Sequence, residues 1–129
     1  MFGRRKPSRS AVDWWSSVRA SAPPGLGGLW FGLVELTGKR SGWHLYVAGT
    51  ETFDVDDATA DWAVPDYLWW PRKDRYLPLP ELAELDDAEA LINAANLVRS
   101  FKPWEDVPVQ GVAVGWDDGD FEIIHTATD

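Results

Sequence analysis

Between residues 50 and 80 the chain places Pro65, Pro71, Pro78 and Pro80. Proline fixes its own φ, removes a backbone donor and pushes the preceding residue out of the helical region. No long helix and no central strand can run through such a stretch. The chain is therefore expected to fold around a long, irregular but ordered connection, with regular elements confined to either side of it. Loops of this length inside a domain are usually functional or disordered, and the rings here speak against disorder.

Before the connection, Leu29–Thr37 reads as a strand on its β-branched and aromatic content, and Gly42–Gly49 as a second one, with Gly38–Gly42 as the turn. In the second strand Trp43, Leu45 and Val47 alternate with His44, Tyr46 and Ala48. Both sets are largely apolar, so this strand is expected to be central or covered on both faces. After the connection, Asp86 or Asp87 caps a helix through Phe101, with Leu91, Ala94, Ala95, Val98 and Phe101 at helical spacing. Acids open this helix and Arg99 and Lys102 close it, matching its dipole. A final hairpin follows, VQGVAVGW and DFEIIHTAT, turning at Asp118-Gly119.

At the N-terminus Ser10 and Asp13 form a capping pattern for a helix over 11–20, and Ser21–Gly28 is a Pro/Gly linker. The expected architecture is α+β: a mostly antiparallel sheet from two hairpins, a helix packed on one face, and an N-terminal helix. Residues 1–28 form a basic tail, short helix and linker, and residues 29–129 a single α+β domain.

The net charge of −9 is unevenly spread. Residues 1–20 set Arg4, Arg5, Lys6, Arg9 and Arg19 against Asp13. The remaining residues hold 7 basic and 20 acidic side chains, a balance of −13. Such a body repels nucleic acid and attracts a basic partner. The basic head could touch RNA or a membrane surface, and its plainer reading is a disordered solubilising tail. The chain has no Cys, which removes disulfides, thiolate metal sites and cysteine nucleophiles together. No apolar run approaches a membrane span, and Asp13 and Arg19 interrupt what would be a signal-peptide core. A cytoplasmic protein is expected.

The segment 51–76, ETFDVDDATADWAVPDYLWWPRKDRY, mixes carboxylates with rings. A calcium loop starting at Asp54 would need Gly at its sixth position and Glu at its twelfth; Thr59 and Pro65 stand there. No cofactor or metal is implied. His44 and His125 lie on different strands and, with Glu35, could form a metal or acid–base site, although no HxH or HExxH spacing supports it. No GxSxG, P-loop or GxGxxG is present. Trp30, Trp43 and Trp116 fall in strands and read as core. Trp62, Tyr67, Trp69 and Trp70 fall in the irregular segment, where rings of this kind either pin the loop or anchor a partner. Asp54, Asp56, Asp57 and Asp61 would then steer that partner, joined by Asp117, Asp118 and Asp120 of the last turn.

The strand WHLYVAG, the stretch DDATADWAVPDY and the hairpin VAVGWDDGDFE together make residues 29–126 resemble bacterial immunity proteins of polymorphic toxin systems. The resemblance implies stoichiometric occlusion of a cognate toxin, often a basic nuclease, with no chemistry performed. It also implies that the acids of 51–66 and 117–122 face the toxin. The competing readings are a small enzyme or metal protein around Glu35, His44 and His125, or a homo-oligomeric subunit that buries its tryptophans.

Overall fold

The computed structural model describes residues 10–38, 42–57, 60–63, 67–117 and 119–127. Helix α1 spans Ala11–Val18, and the hairpin that follows is β1 (Gly28–Leu36) and β2 (Gly42–Thr50). A two-residue strand β3 (Leu77–Pro78) ends the irregular segment. Helix α2 (Asp87–Phe101), a single turn α3 (Pro103–Asp106), β4 (Gly111–Trp116) and β5 (Phe121–Thr126) complete the order. The fold is α+β, as the sequence pattern implies.

The sheet order is β3-β2-β1-β4-β5. Both hairpins are antiparallel, as is the short β2–β3 pair, while β1 and β4 join them in parallel, Gly28 opposite Gly111 through Leu33 opposite Trp116. Strand β2 is flanked on both sides and buried over most of its length, as its two apolar faces require.

Local chemistry sets the helix ends. The Ser10 hydroxyl accepts from the Asp13 amide at 3.0 Å, and the Asp86 carboxylate accepts from the Glu89 amide at 2.8 Å. Each satisfies a backbone donor that a helix start leaves unpaired. Helix α2 stops at Lys102, which adopts the left-handed conformation at φ 45° and ψ 63°, and Pro103 then begins α3.

One face of the sheet carries Leu29, Phe31, Leu33, Leu45, Val47, Val112 and Val114 against Ala94, Ala95 and Val98 of α2. Helix α1 belongs to this same core, with Trp14 and Trp15 essentially inaccessible and both packed on Phe31. Their indole N–H groups donate to the Asp74 carbonyl at 2.7 Å and to Asp106 Oδ2 at 2.8 Å. Buried indoles need such partners. The division expected at residue 28 therefore does not separate packing units among the described residues: the linker composition marks a loop, but the helix before it is built in.

Candidate functional site

The other face of the sheet is made of small residues under large rings. In the central strands the positions pointing this way are Gly28, Trp30 and Gly32 on β1, and Gly111, Ala113 and Gly115 on β4. A Cβ at Gly32 would lie 2.2 Å from Tyr46 Cζ, and one at Gly111 would lie 2.2 Å from the ring of Phe53. Glycine at these two positions lets a ring rest directly on backbone. The irregular segment supplies the cover: Phe53, Ala60, Trp62, Ala63, Trp70 and Tyr76 pack here with Trp30, Tyr46, Phe121 and Ile123. The proline-rich connection is thus the second layer of the sheet.

A polar chain runs through this layer. Trp30 Nε1 donates to the Tyr46 hydroxyl at 3.2 Å, and that hydroxyl donates to Asp117 Oδ1 in a very short contact. Burial pushes the Tyr46 phenol far above its ordinary range, and the Asp117 carboxylate, which needs the hydroxyl as a donor, pushes it further. Burial also raises the Tyr67 phenol, an effect that a hydrogen bond with Tyr46 partly offsets. Both shifts favour the neutral phenol.

Above this chain opens a cleft of about 520 Å³, lined by Trp30, Tyr46, Tyr67, Trp70, Tyr76 and Phe121, with Asp117 among its polar groups. That volume lies within the range of small-ligand sites. Tyr67 stacks parallel on Trp70 at 5.4 Å between centroids, and the Arg75 guanidinium lies 4.8 Å from the Trp70 centroid. Among the described residues Asp117 is the acid that lines the opening, and two further exposed acids neighbour lining residues along the chain. Asp61 adjoins Ala60, and Asp120 sits between Gly119 and Phe121, all three of these neighbours being lining residues. A wider groove of about 1040 Å³ between α1 and residues 67–75 has the opposite character, with Arg72, Lys73 and Arg75 beside Asp74.

Of the residues singled out by sequence, Asp54, Asp56, Asp61, Asp117 and Asp120 are exposed and Asp57 is partly so. Some also shape the backbone: Asp54 Oδ1 accepts from the Asp56 amide at 3.0 Å, and Asp57 Oδ2 from the Asp61 amide at 2.9 Å. Asp118 lies outside the described residues. Tyr67 and Trp70 are half-buried at the cleft. Trp62 and Trp69 are not surface anchors, at 6% and 5% exposure. Trp62 fills the second layer between Trp30 and Phe53. Trp69 belongs to the helix-side core, with its indole N–H donating to Ser21 Oγ at 3.0 Å. These two rings pin the segment rather than present it.

The alternative constellation of Glu35, His44 and His125 does not assemble. His44 is on β2 and His125 on β5, with β1 and β4 between them. Their cross-strand partners, Val34 and Val112, belong to opposite faces of the sheet. His44 Nδ1 contacts the Gly42 carbonyl at 2.9 Å, and His125 stacks on Trp104 at 4.5 Å. Glu35 pairs with Trp43 on the face opposite His44. Among the described residues no group of three or more His, Asp or Glu side chains could hold a metal ion, and no helix is long and apolar enough to cross a membrane.

Sequence reasoning missed Tyr46, Tyr76 and Phe121 as cleft residues and took Trp30 only as core. One signal was available. In Gly111-Val-Ala-Val-Gly115 small residues alternate with valine, and Gly28 and Gly32 repeat the pattern on β1. A strand face of Gly and Ala announces that something large lies close against it. Comparison with protein-family models, with curated proteins and with solved structures found no match.

Proposed function

We propose that this chain is a non-enzymatic binding protein that captures a basic protein partner at the acid-rimmed cleft, in the manner of a stoichiometric inhibitor. The observation that carries the reading is the coincidence of two features at one place. The exposed Asp117 lines a preformed cleft walled by rings, and the exposed Asp61 and Asp120 neighbour its lining residues along the chain. Carboxylates at a rim accelerate encounter with a positive surface, while rings in a desolvated centre supply most of the holding energy. Burial raises the Tyr46 and Tyr67 phenols above their ordinary range, which suits recognition better than proton transfer near neutral pH. The resemblance to immunity proteins supplies the finer reading, a basic toxin nuclease as the partner.

The test begins with capture from source cells at low ionic strength, followed by reconstitution of a one-to-one complex from purified components. A partner of high isoelectric point is expected. Its association rate should fall steeply with added salt and should lose most of that dependence in the Asp54, Asp56, Asp57 and Asp61→Asn variant. If the partner is a nuclease, one equivalent of this chain should silence it. A complex whose association is indifferent both to salt and to these substitutions would overturn the proposal.

A further inference from the structure

The cleft has a chemistry more specific than a generic hydrophobic anchor site. Its walls are the rings of Trp30, Tyr46, Tyr67, Tyr76 and Phe121, and among the described residues its charged lining group is the Asp117 carboxylate. Aromatic faces carry negative electrostatic potential and attract cations, most strongly where water is displaced. The carboxylate is held in place. Its Oδ1 takes the Tyr46 hydroxyl, and Tyr46, at 5% exposure, is anchored in turn by the Trp30 indole. Asp117 Oδ2 has no hydrogen bond among the described residues. Among the described residues the site therefore presents a carboxylate with one oxygen engaged by Tyr46, beside aromatic walls.

From this geometry we infer that the cleft is a receptor for the guanidinium of a single arginine side chain of the basic partner. A planar guanidinium stacks on rings while donating in its own plane to a carboxylate, which an ammonium does not do. The same layer already sets a guanidinium over a ring within the chain, where Arg75 lies over Trp70 and donates from Nε to the Pro71 carbonyl at 3.1 Å. The incoming arginine donates to Asp117 Oδ2 and spreads its face on the rings, while the rim carboxylates attract the rest of the basic surface. The identity of the occupant rests on the basic-partner reading of the preceding section; the chemistry of the site does not.

The site can be tested without any protein partner. N-acetyl-arginine amide is titrated into the wild-type chain while the indole N–H resonances of Trp30 and Trp70 are followed by NMR, with N-acetyl-citrulline amide as the neutral isostere. Saturable shifts with a Kd on the order of millimolar are expected for the arginine compound, since one carboxylate and a few rings contribute. The citrulline compound should bind at least tenfold more weakly. Asp117→Asn, which retains an acceptor for Tyr46, should lose about tenfold for arginine, whereas Glu84→Gln, at an exposed acid outside the cleft lining, should stay within twofold. Equal binding of the two amides by the wild type would overturn the inference with no variant involved, as would unchanged arginine binding by a folded Asp117→Asn chain. The two readings fail separately. Arginine binding without any basic protein partner refutes the function but keeps the site; a basic partner bound equally well by Asp117→Asn keeps the function and refutes the site.

Discussion

Gly32→Ala sets two physical effects of opposite sign against each other. Gly32 lies within β1 and its backbone is not in the left-handed region. On backbone grounds alanine should stabilise by about 0.4–1 kcal/mol, because it restricts the unfolded chain. The structure predicts the reverse. The added Cβ would stand 2.2 Å from Tyr46 Cζ, 2.3 Å from Cε1 and 2.4 Å from the hydroxyl oxygen. These atoms belong to a ring that is itself confined by Trp70 at 5.2 Å and Tyr76 at 6.4 Å between centroids. The ring must shift, and overpacking of this kind costs about 1–3 kcal/mol. A shift also withdraws the hydroxyl from Asp117 and Trp30, and a hydrogen bond to a charged group is worth about 1.5–3 kcal/mol. Partial relaxation and the backbone gain leave a net loss of about 2–4 kcal/mol. At roughly 4 °C per kcal/mol for a chain of this size, Tm falls by about 8–16 °C. Guanidinium denaturation followed by tryptophan fluorescence measures the loss directly. The second arm is Gly32→Ala combined with Tyr46→Ala, in which the clash is gone, so the penalty of Gly32→Ala should vanish in that background. A Gly32→Ala chain as stable as the wild type would refute the claim that Tyr46 rests on the backbone.

Further outcomes follow from single contacts. Asp86→Ala removes the α2 cap and should cost about 1 kcal/mol in denaturation midpoint analysis. Lys102→Gly places glycine in the left-handed position that ends α2 and should stabilise by about 0.5–1 kcal/mol. Burial lowers the His125 pKa below its ordinary value, so the folded chain binds that proton less readily than the unfolded chain does. Stability should therefore decline as pH falls below about 6.5, and His125→Phe, which keeps a ring on Trp104, should flatten that part of the pH profile. The Asp54, Asp56 and Asp61→Asn variant should unfold within about 0.5 kcal/mol of wild type, whereas Trp62→Ala and Trp69→Ala should each lose about 3–5 kcal/mol.

What the sequence made legible follows from which signals are local. The α2 stripe of Leu91, Ala94, Ala95, Val98 and Phe101 is a periodicity within one element, and all five residues are buried where it places them. The caps at Ser10 and Asp86 are fixed by residues three apart. The parallel seam between β1 and β4 has no such signature. It joins residues some eighty positions apart, and each hairpin alone satisfies only its own inner edges. The packing of α1 is hidden for the same reason: Trp14 and Trp15 find their hydrogen-bond partners at Asp74 and Asp106, beyond any local window.

The segment 51–76 is the instructive case, because its rings and its acids do different jobs that composition alone superimposes. A sheet with apolar residues on both faces needs two covers, and the helices supply only one. Some other part of the chain must bring the rings for the second face, and the prolines dictate that it does so without regular structure. Trp62 and Trp69 are consumed by that duty, each below 10% exposure. Tyr67 and Trp70 are only partly consumed, and they stand at the cleft mouth with the carboxylates. The consequence is that ring substitutions within one segment must separate into two classes. Loss of Trp62 or Trp69 lowers stability and, through it, everything else. Replacement of Tyr67 by Leu removes a ring from the cleft while leaving both cores filled, so it should cost binding of a guanidinium out of proportion to stability. A Tyr67→Leu chain that lost stability and binding in the same proportion as Trp62→Leu would show that the cleft is nothing more than the outer skin of the core.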